Sequence, residues 1–442
     1  MIKPAYLLIL SSIWSLAGGS VNCRLELDRG VLPAGSQQRA VLRLSLLSEA
    51  SGLNTLRPPV ALAIALDRSG SMEGDKLQKA KEAALVAFES LAPDDLFSLV
   101  IYDDQVQTLI EAQPVRQIRK KVETVLGITA GNYTALFGGV SQAASELRKF
   151  NHLPHLKRLI LLSDGLANVG PSSPEELGRL GVALAKEGIT ITTIGLGDDY
   201  NEDLMTRLSQ SSDGNTYYVR SSDQLPQVFK AEMGDVFNVV ARNVKAKIAF
   251  PEGIKPLALI GREGKIAGRL VEVDFNELCG SQEKLVLVEV EVARAVANSR
   301  LKIASAEVAY LDVQSQENLI EKPAIEVDVS EDQAVVQASS NLVVQNNYLM
   351  NANAMAMDRA VDLADQGQVD EAVRQLKDSS QSLRQKGREN NDAELIRKAT
   401  EMDALADKIQ KEGMTKKSRK TMRTDSYQTK KQQVTSSDDD QD

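Results

Sequence analysis

The apolar run VALAIAL, which extends from Val60 to Leu66, constrains the fold more than any other part of the sequence. A strand that is apolar on both faces belongs inside a parallel sheet that helices cover on both sides. Similar runs follow at residues 96–102, 158–162 and 189–194, and amphipathic helical stretches separate them. Strands that alternate with helices in this way predict a doubly wound α/β domain with a mostly parallel sheet, which we place at residues 58–242.

The sequence on both sides of this domain has the period-two alternation of antiparallel strands. Strand-like segments lie at residues 24–49, before the α/β domain. The same alternation returns after residue 242, for example in LVLVEVEV at residues 285–292. We therefore predict an antiparallel β-sandwich built from residues 20–57 and 243–330, with the α/β domain inserted in it or flanked by it.

The chain becomes helical after the last of these strands, and we assign residues 331–413 to a helical region. The stretch MDRAVDLADQGQVDEAVRQL resembles one tetratricopeptide helical hairpin, with Gly367 at the turn. One hairpin is not an array, because stacked repeats need neighbours to bury their faces. A helical bundle packed on the sandwich is therefore favoured over a peptide-binding solenoid. The dense basic and acidic stretches of residues 414–442 predict a disordered, solvated tail.

The N-terminus has the layout of a secretory signal. Lys3 precedes an apolar stretch from Ala5 to Leu16, and small residues follow up to Gly19. This stretch is shorter than the roughly 20 apolar residues of a membrane span, so cleavage after residues 1–19 is expected. The mature protein would then be extracytoplasmic, either periplasmic or secreted, without a membrane span. The alternatives are an uncleaved membrane anchor or lipidation of Cys23.

The chain has two cysteines, Cys23 and Cys279. They are too few and too far apart in sequence for a zinc site. Both fall in segments that we assign to the sandwich, and an oxidising compartment would favour a disulfide between them. The alternative is that both are small buried apolar residues.

Polar residues stand where the predicted parallel strands end. Asp67, Ser69 and Ser71 follow the first apolar run, Thr134 precedes a helix in GNYTAL, and Asp164 ends another run in LILLSDGLAN. Ligands of open α/β sheets bind at the carboxyl ends of the strands, where these segments fall. The set resembles the metal-ion-dependent adhesion site of von Willebrand factor type A domains, in the order and at the spacing of that family. The resemblance covers the α/β domain through GLGDDYNEDLMTRLSQSSDGNTYYV.

The resemblance implies a divalent cation held by oxygen atoms. Ser69, Ser71 and Thr134 would offer hydroxyl oxygens, while Asp67 and Asp164 would act largely through bound water. These oxygens suit Mg²⁺, a hard cation, with Mn²⁺ or Ca²⁺ as alternatives. Neutral hydroxyl ligands leave the ion electrophilic, so an Asp or Glu carboxylate of a protein partner is expected to complete its coordination.

The candidate site also departs from the family pattern. Tyr133 stands where the family often has Gly, which bears on loop geometry and on the choice of partner. Gly70 is expected to let the loop turn without a Cβ in the way. Asp103 and Asp104 follow the second parallel strand, and they either hold a second ion or form a solvated loop end, which is the favoured interpretation.

Three functions are compatible with this sequence. The net charge of -9 argues against nucleic-acid binding. Only two histidines are present, and there is no H-E-x-x-H, G-x-x-x-x-G-K-[ST] or G-x-S-x-G motif, so an enzyme is disfavoured. Metal-dependent protein binding, in adhesion or complex assembly, is the leading hypothesis. The alternatives are a structural scaffold that binds through its helical region with a vestigial metal site, and an enzyme that uses the ion directly.

Overall fold

A computed structural model describes residues 20–49, 57–118 and 122–433 of the chain. It confirms the predicted fold class, because a doubly wound α/β domain is inserted in a β-sandwich and C-terminal helices follow. The predicted secretory signal at residues 1–19 lies outside the described residues. Within the described ranges, no helix is both long and apolar enough to cross a membrane.

The strands described before the α/β domain are β1 (Val21–Leu27), β2 (Val31–Pro33) and β3 (Gln38–Ser48). The elements of the α/β domain are β4 (Val60–Asp67), α1 (Asp75–Glu89), β5 (Leu96–Tyr102), β6 (Val106–Pro114), α2 (Val115–Ile118), α3 (Leu136–Arg148), β7 (Leu156–Ser163), α4 (Pro174–Lys186), β8 (Ile189–Leu196), α5 (Glu202–Ser211), β9 (Thr216–Val219) and α6 (Leu225–Phe237). The sheet order is β6-β5-β4-β7-β8-β9, and β6 is the antiparallel edge strand. The four predicted apolar runs form β4, β5, β7 and β8.

The central strand β4 shows why the apolar run forms a buried strand. Its alternate residues Leu62, Ile64 and Leu66 belong to one apolar cluster, which includes side chains of α1 and α6. The intervening alanines belong to a second cluster, which includes side chains of α3, α4 and α5. Helices therefore cover both faces of the sheet, as a parallel sheet requires.

Eight strands follow the α/β domain: β10 (Val239–Ala249), β11 (Ile254–Ile260), β12 (Lys265–Ala267), β13 (Leu270–Cys279), β14 (Glu283–Val292), β15 (Arg300–Asp312), β16 (Asn318–Glu321) and β17 (Ala324–Ser330). One sheet of the sandwich has the order β1-β3-β14-β11. The other has the order β12-β13-β10-β15-β17-β2, with β16 paired to β15. A single apolar core contains Leu42 and Leu44 from before the α/β domain together with Ile248 and Val288 from after it. The sandwich is thus completed from both sides of the insertion.

The helical region contains α7 (Gln333–Ala338), α8 (Leu342–Asp365), α9 (Val369–Asn390), α10 (Ala393–Glu412) and α11 (Lys416–Lys431). Gly367 lies in the turn between α8 and α9 with φ at +77°, so the predicted helical hairpin is present. Helices α8 to α11 share one apolar cluster, which includes Met357, Leu376 and Met402. Gln345 of α8 donates a hydrogen bond to the backbone oxygen of Asp28, which joins the helices to the sandwich.

Helix α11 contradicts the prediction that residues 414–442 are a disordered tail. Met422 and Tyr427 of this helix are buried, and the Tyr427 hydroxyl donates to the backbone oxygen of Gly214. The basic side chains that suggested a solvated tail pair instead with acidic side chains of α5 and α8. Ion pairs with neighbouring helices therefore stabilise this polar segment as an ordered helix. Residues 434–442 lie outside the described residues.

The expected disulfide between Cys23 and Cys279 is also wrong, because both thiols are free. Cys23 of β1 packs against the sandwich core, whereas Cys279 at the end of β13 packs against a core of the α/β domain. Burial raises the pKa of each thiol to about 12. Both are therefore neutral, weakly polar side chains at neutral pH, which was the alternative interpretation.

Candidate metal centre

The carboxyl edge of the parallel sheet brings the predicted polar residues close together. Strand β4 lies between β5 and β7 and runs parallel to both. Asp67 ends β4, while Asp103 and Asp164 directly follow β5 and β7. The order of the strands therefore sets three carboxylates side by side on one edge.

Asp67 is held rigidly beneath this edge. Its Oδ1 accepts a hydrogen bond from the backbone N–H of Ser69 at 2.8 Å, and its Oδ2 accepts one from the Ser163 hydroxyl at 2.6 Å. The side chain has no exposed surface. Burial raises the pKa of Asp67 to about 6, and the nearby Asp164 carboxylate acts in the same direction. A negative charge at this position is therefore costly unless a cation lies beside it.

The two serines and Asp164 form a continuous chain of contacts. The hydroxyl oxygens of Ser69 and Ser71 are 3.2 Å apart, and the Ser71 hydroxyl donates to Asp164 Oδ1 at 2.6 Å. Lys76, in the first turn of α1, donates to Asp164 Oδ2 at 2.5 Å. The Lys76 side chain is 39% exposed while that of Asp164 is fully buried, so an ammonium ion from the surface balances a buried carboxylate.

The loop after β7 fixes the position of Thr134. The backbone N–H of Thr134 donates to the side-chain oxygen of Asn168 at 2.8 Å, and its carbonyl accepts from the backbone of Asn168 and Val169. A Cβ placed on Gly165 would lie 3.2 Å from the Ser71 hydroxyl oxygen and 3.6 Å from the Thr134 hydroxyl oxygen. The two hydroxyls therefore converge over Gly165.

The loops that carry Ser69 and Thr134 are bound to each other through their backbones. Gly131 N–H donates to the Arg68 carbonyl at 2.7 Å, and Gly70 N–H donates to the Asn132 carbonyl at 2.9 Å. A Cβ on Gly131 would lie 1.8 Å from Asp103 Oδ2, whereas a Cβ on Gly70 would find only ordinary contacts from 3.4 Å. We predicted that a Cβ would be obstructed at Gly70, but the position without room for a Cβ is Gly131.

Asp103 has partners in the protein. Its Oδ1 accepts from the backbone N–H of Gln105 at 2.8 Å, and its Oδ2 lies 2.8 Å from an Arg68 guanidinium nitrogen. It is buried, while Asp104 is exposed. Of the two interpretations, a solvated loop end describes Asp104, and an internal ion pair describes Asp103.

The donor set of this edge fits a hard divalent cation. It offers three hydroxyl oxygens and two buried carboxylates, without sulfur or imidazole, which is the chemistry that Mg²⁺ prefers. In the described part of the chain, no group of three or more His, Cys, Asp or Glu side chains is arranged to hold a metal. A cation at this edge would therefore depend on the hydroxyls. Lys76 already supplies one positive charge there, which is consistent with a site that attracts cations.

Three residues of the site were missed by the sequence analysis: Ser163, Asn168 and Lys76. Ser163 directly precedes Asp164, so its position next to a predicted site residue was a signal that could have identified it. Asn168 and Lys76 lie in a loop and a helix, where polar residues are common, so only the fold shows their contacts with Thr134 and Asp164.

Two exposed apolar side chains stand beside the polar centre. Tyr133 precedes Thr134 and is 63% exposed, and Leu166 follows Gly165 and is 58% exposed. Tyr133 belongs to the loop that carries Thr134, and Leu166 belongs to the loop that carries Asp164 and binds the Thr134 backbone. The surface around the candidate centre therefore combines a polar middle with apolar neighbours.

Comparison with known sequences supports the assignment of the α/β domain. Residues 61–231 match the family model of the von Willebrand factor type A domain. An uncharacterized protein of Synechocystis sp. is 26% identical over 336 residues, which cover 73% of this chain and 77% of that protein. Inter-alpha-trypsin inhibitor heavy chain H3 of Homo sapiens is 27% identical over 237 residues, which cover 49% of this chain and 26% of that protein. The chain thus spans only about a quarter of the second relative.

Solved structures share the fold over a longer part of the chain. A von Willebrand factor type A protein from Catenulispora acidiphila has a TM-score of 0.67 at 17% identity, covering 89% of this chain and 98% of its own. The ArnB paralog VWA2 from Sulfolobus acidocaldarius has a TM-score of 0.63 at 19% identity, covering 93% and 98%. The fold thus defines a multi-domain protein built around a doubly wound α/β domain. Together with the sequence match, it supports assignment of that domain to the von Willebrand factor type A domain family.

Proposed function

We propose that this protein binds a protein partner through a divalent cation, most simply Mg²⁺, at the carboxyl edge of its von Willebrand factor type A domain. The observation that supports this proposal is the charge of the edge. Two fully buried carboxylates, Asp67 and Asp164, have three converging hydroxyls beside them, and among the described residues only the partly exposed Lys76 forms an ion pair with either of them. A dication would offset the cost of burying both charges.

Each residue would have a distinct part in holding the ion. Ser69, Ser71 and Thr134 would present hydroxyl oxygens, and Asp67 and Asp164 would accept hydrogen bonds from water on the ion. The hydrogen bonds from Ser163 and from the backbone of Ser69 already fix the orientation of the Asp67 carboxylate. When bound, the ion would supply an electrophilic position for a carboxylate oxygen.

The partner would carry an Asp or Glu carboxylate beside apolar side chains. Neutral hydroxyl ligands leave positive charge on the ion, which favours an anionic ligand atom. Tyr133 and Leu166 would contact the residues around that carboxylate, since both are largely exposed next to the centre. Aromatic side chains are common among the residues that contribute most to protein binding.

The histidines support a binding role over an enzymatic one. His152 and His155 precede β7, whose far end leads to Asp164. An eight-residue strand is roughly 25 Å long, so both histidines lie at the opposite edge of the sheet from the candidate centre. Burial lowers the pKa of His155, which keeps it neutral. Neither histidine is placed to act as a general base at the proposed ion.

We also propose that the protein acts outside the cytoplasm, in adhesion or in assembly of a complex. The support is the signal-like sequence of residues 1–19. Cys23, the position for lipidation in the alternative, lies inside β1 and packs on the sandwich core. Intact-mass measurement of native protein distinguishes cleavage near Ser20 from an uncleaved chain or a lipid adduct on Cys23.

A capture experiment tests the binding role. The full chain is immobilised and exposed to the native extracytoplasmic fraction with Mg²⁺ or with EDTA, beside the variants Thr134→Ala and Thr129→Ala. We expect a partner that is retained with Mg²⁺, released by EDTA and lost with Thr134→Ala. Thr129, which lies outside the converging hydroxyls, provides the matched control. Capture that is insensitive to EDTA and to Thr134→Ala would instead favour a scaffold that binds through α8 to α11.

A further inference from the structure

A charged cleft lies where the α/β domain, the sandwich and helix α11 meet. Its volume is about 920 Å³, and α4, α5, β10, the turn before β12, β13 and α11 contribute to its walls. Seven lysines and arginines line it against four aspartates and glutamates. The cleft therefore carries an excess of positive charge, although the whole chain has a net charge of -9. Such a local reversal of charge attracts an anionic ligand.

The innermost cation of the cleft, Arg262, lacks full compensation. Its side chain is 10% exposed, its guanidinium stacks 4.4 Å from the centre of the Phe275 ring, and its Nε has no hydrogen-bond partner among the described residues. The nearest carboxylate, Asp213, is 3.8 Å away and also forms an ion pair with Lys431. Lys284 lies nearby and is 7% exposed. Arg262 and Lys431 thus share the Asp213 carboxylate, while Lys284 donates to the backbone oxygens of Lys431 and Gln432.

The pKa values of Arg262, Lys431 and Lys284 also reflect burial without full pairing. Burial lowers the pKa of Arg262 and of Lys431, and it lowers the pKa of Lys284 to about 8. A nearby carboxylate raises the pKa of a buried cation, and full pairing would offset the lowering that burial causes. Additional carboxylates at the cleft would therefore stabilise all three charges.

The end of α11 lies at this cleft, and an acidic segment follows it in the sequence. Arg262 donates to the Lys431 carbonyl and to the side-chain oxygen of Gln432, both at 3.4 Å. Gln433 is fixed by hydrogen bonds with the backbone of Thr216. Beyond this point the sequence reads VTSSDDDQD, with four aspartates at residues 438–442. Five residues extend up to about 17 Å, which sets how far the first aspartate can lie from Gln433.

We propose that the acidic segment at residues 438–442 binds this cleft in its own chain. Its carboxylates would pair with Arg262 and with the exposed lysines Lys186, Lys245 and Lys265 of the walls. Arginine and carboxylate form strong paired hydrogen bonds. Because the segment is tethered at the cleft, its effective concentration is in the millimolar range, and weak individual contacts suffice. The bound segment would tie the α/β domain, the sandwich and α11 together.

Zero-length cross-linking of the full chain tests this proposal. Equal amounts of ¹⁵N-labelled and unlabelled protein are mixed and treated with a carbodiimide, which joins carboxylates to lysines in contact, and then digested with trypsin. We expect the C-terminal peptide that begins at Gln432 to be joined to peptides containing Lys186, Lys245 or Lys265 of the same isotope. Salt at about 0.5 M should reduce this product several-fold, because exposed charges are then screened.

A lysine acetylation footprint gives an independent readout. In Asp438→Asn, Asp439→Asn, Asp440→Asn protein, acetylation of Lys245 and Lys265 should become several-fold faster than in the wild type, with Lys302 and Lys322 unchanged. The double variant Ser436→Ala, Ser437→Ala alters the same segment without changing its charge and should behave as the wild type. Cross-links spread over lysines outside the cleft, products that join the two isotopes, or an unchanged footprint would each overturn the proposal.

Discussion

The sheet edge that carries the candidate metal centre and helix α11 are both rich in buried charge, but their charges are balanced differently. At the edge, Lys76 is the one cation in the described part of the chain that pairs with the buried Asp67 or Asp164, and its side chain is partly exposed. At α11, Glu202 pairs with both Arg419 and Lys420, and the Lys420 and Glu202 side chains are 4% and 6% exposed.

This difference separates the proposed binding site from a structural contact. Buried carboxylates that the protein compensates hold two elements together, because the ion pair forms within the fold. Buried carboxylates that the protein leaves undercompensated need a further cation, and they mark the place where one would bind. The following predictions test this distinction, from the largest expected effect to the smallest.

Removing one partner of the compensated pair should destabilise the protein most. In Lys420→Met, Glu202 keeps Arg419 but loses the ammonium that its Oε2 accepts from at 2.8 Å. Breaking a buried ion pair costs about 3 kcal/mol, and we expect a loss of that size in the free energy of unfolding, measured by urea denaturation. Lys416 pairs with Asp199 at the surface, so Lys416→Met should leave the stability unchanged. Equal effects of both variants would contradict the distinction.

Disturbing the loop geometry of the edge should have the next largest effect. In Gly131→Ala, the new Cβ would overlap Asp103 Oδ2, so the Arg68–Asp103 pair must move. Overpacking of this kind costs about 2 kcal/mol, and Mg²⁺ affinity should fall with it. Gly127→Ala is the matched control, because open space surrounds a Cβ at that position. Thermal unfolding and Mg²⁺ titration of both variants measure the difference, and a Gly131→Ala protein that matches its control would refute this account of the loop.

Removing the cation of the undercompensated edge should strengthen metal binding. Lys76 holds Asp164 Oδ2 and would compete with Mg²⁺ for its charge. We expect Lys76→Met to raise Mg²⁺ affinity roughly tenfold, which corresponds to about 1.4 kcal/mol. Lys79→Met, one turn along α1, removes the same charge from a residue that pairs with Glu82 and should leave the affinity unchanged. A lower affinity in Lys76→Met would mean that Lys76 supports the site instead of competing for it.

The exposed apolar rim should affect the partner and not the ion. Tyr133→Ala should leave Mg²⁺ affinity unchanged and weaken partner binding by about 1 kcal/mol, the threshold that separates contributing from neutral contacts. Leu126 is a similarly exposed apolar residue in the short 3-10 helix that precedes this loop, and Leu126→Ala provides the control for nonspecific apolar binding. Surface binding assays with the captured partner measure both. If Tyr133→Ala and Leu126→Ala behave alike, the rim takes no part in recognition.

The fold could be predicted from the sequence where local pattern decides it. Val60 to Leu66 is a short run of apolar residues, which favours a strand buried on both faces, and Gly367 marked the turn of a hairpin. Helix α11 could not be predicted in this way. Its place depends on acidic residues of α5 and α8, which lie far away in sequence and show no local periodicity with it.

The residues of the candidate centre also fall into those that could be predicted from local sequence and those that could not. Asp67, Ser69, Ser71, Thr134 and Asp164 are recognisable because they end or precede regular elements in a family pattern. The side chains that orient them are not, since the contacts of Asn168 with Thr134 and of Lys76 with Asp164 form only after three loops meet. The free thiols of Cys23 and Cys279 make the same point, because two cysteines in one sandwich need not face each other.

Titration calorimetry with Mg²⁺ tests the central claim most directly. The wild-type chain, Asp67→Ala and Asp104→Ala are titrated under the same conditions, with Asp104 as an exposed aspartate at the neighbouring strand end. We predict one saturable Mg²⁺ site per chain in the wild type and in Asp104→Ala, and none in Asp67→Ala, with the three proteins equally folded by circular dichroism. A wild-type chain that binds no divalent cation, or an Asp67→Ala chain that binds it as well as the wild type, would contradict the claim.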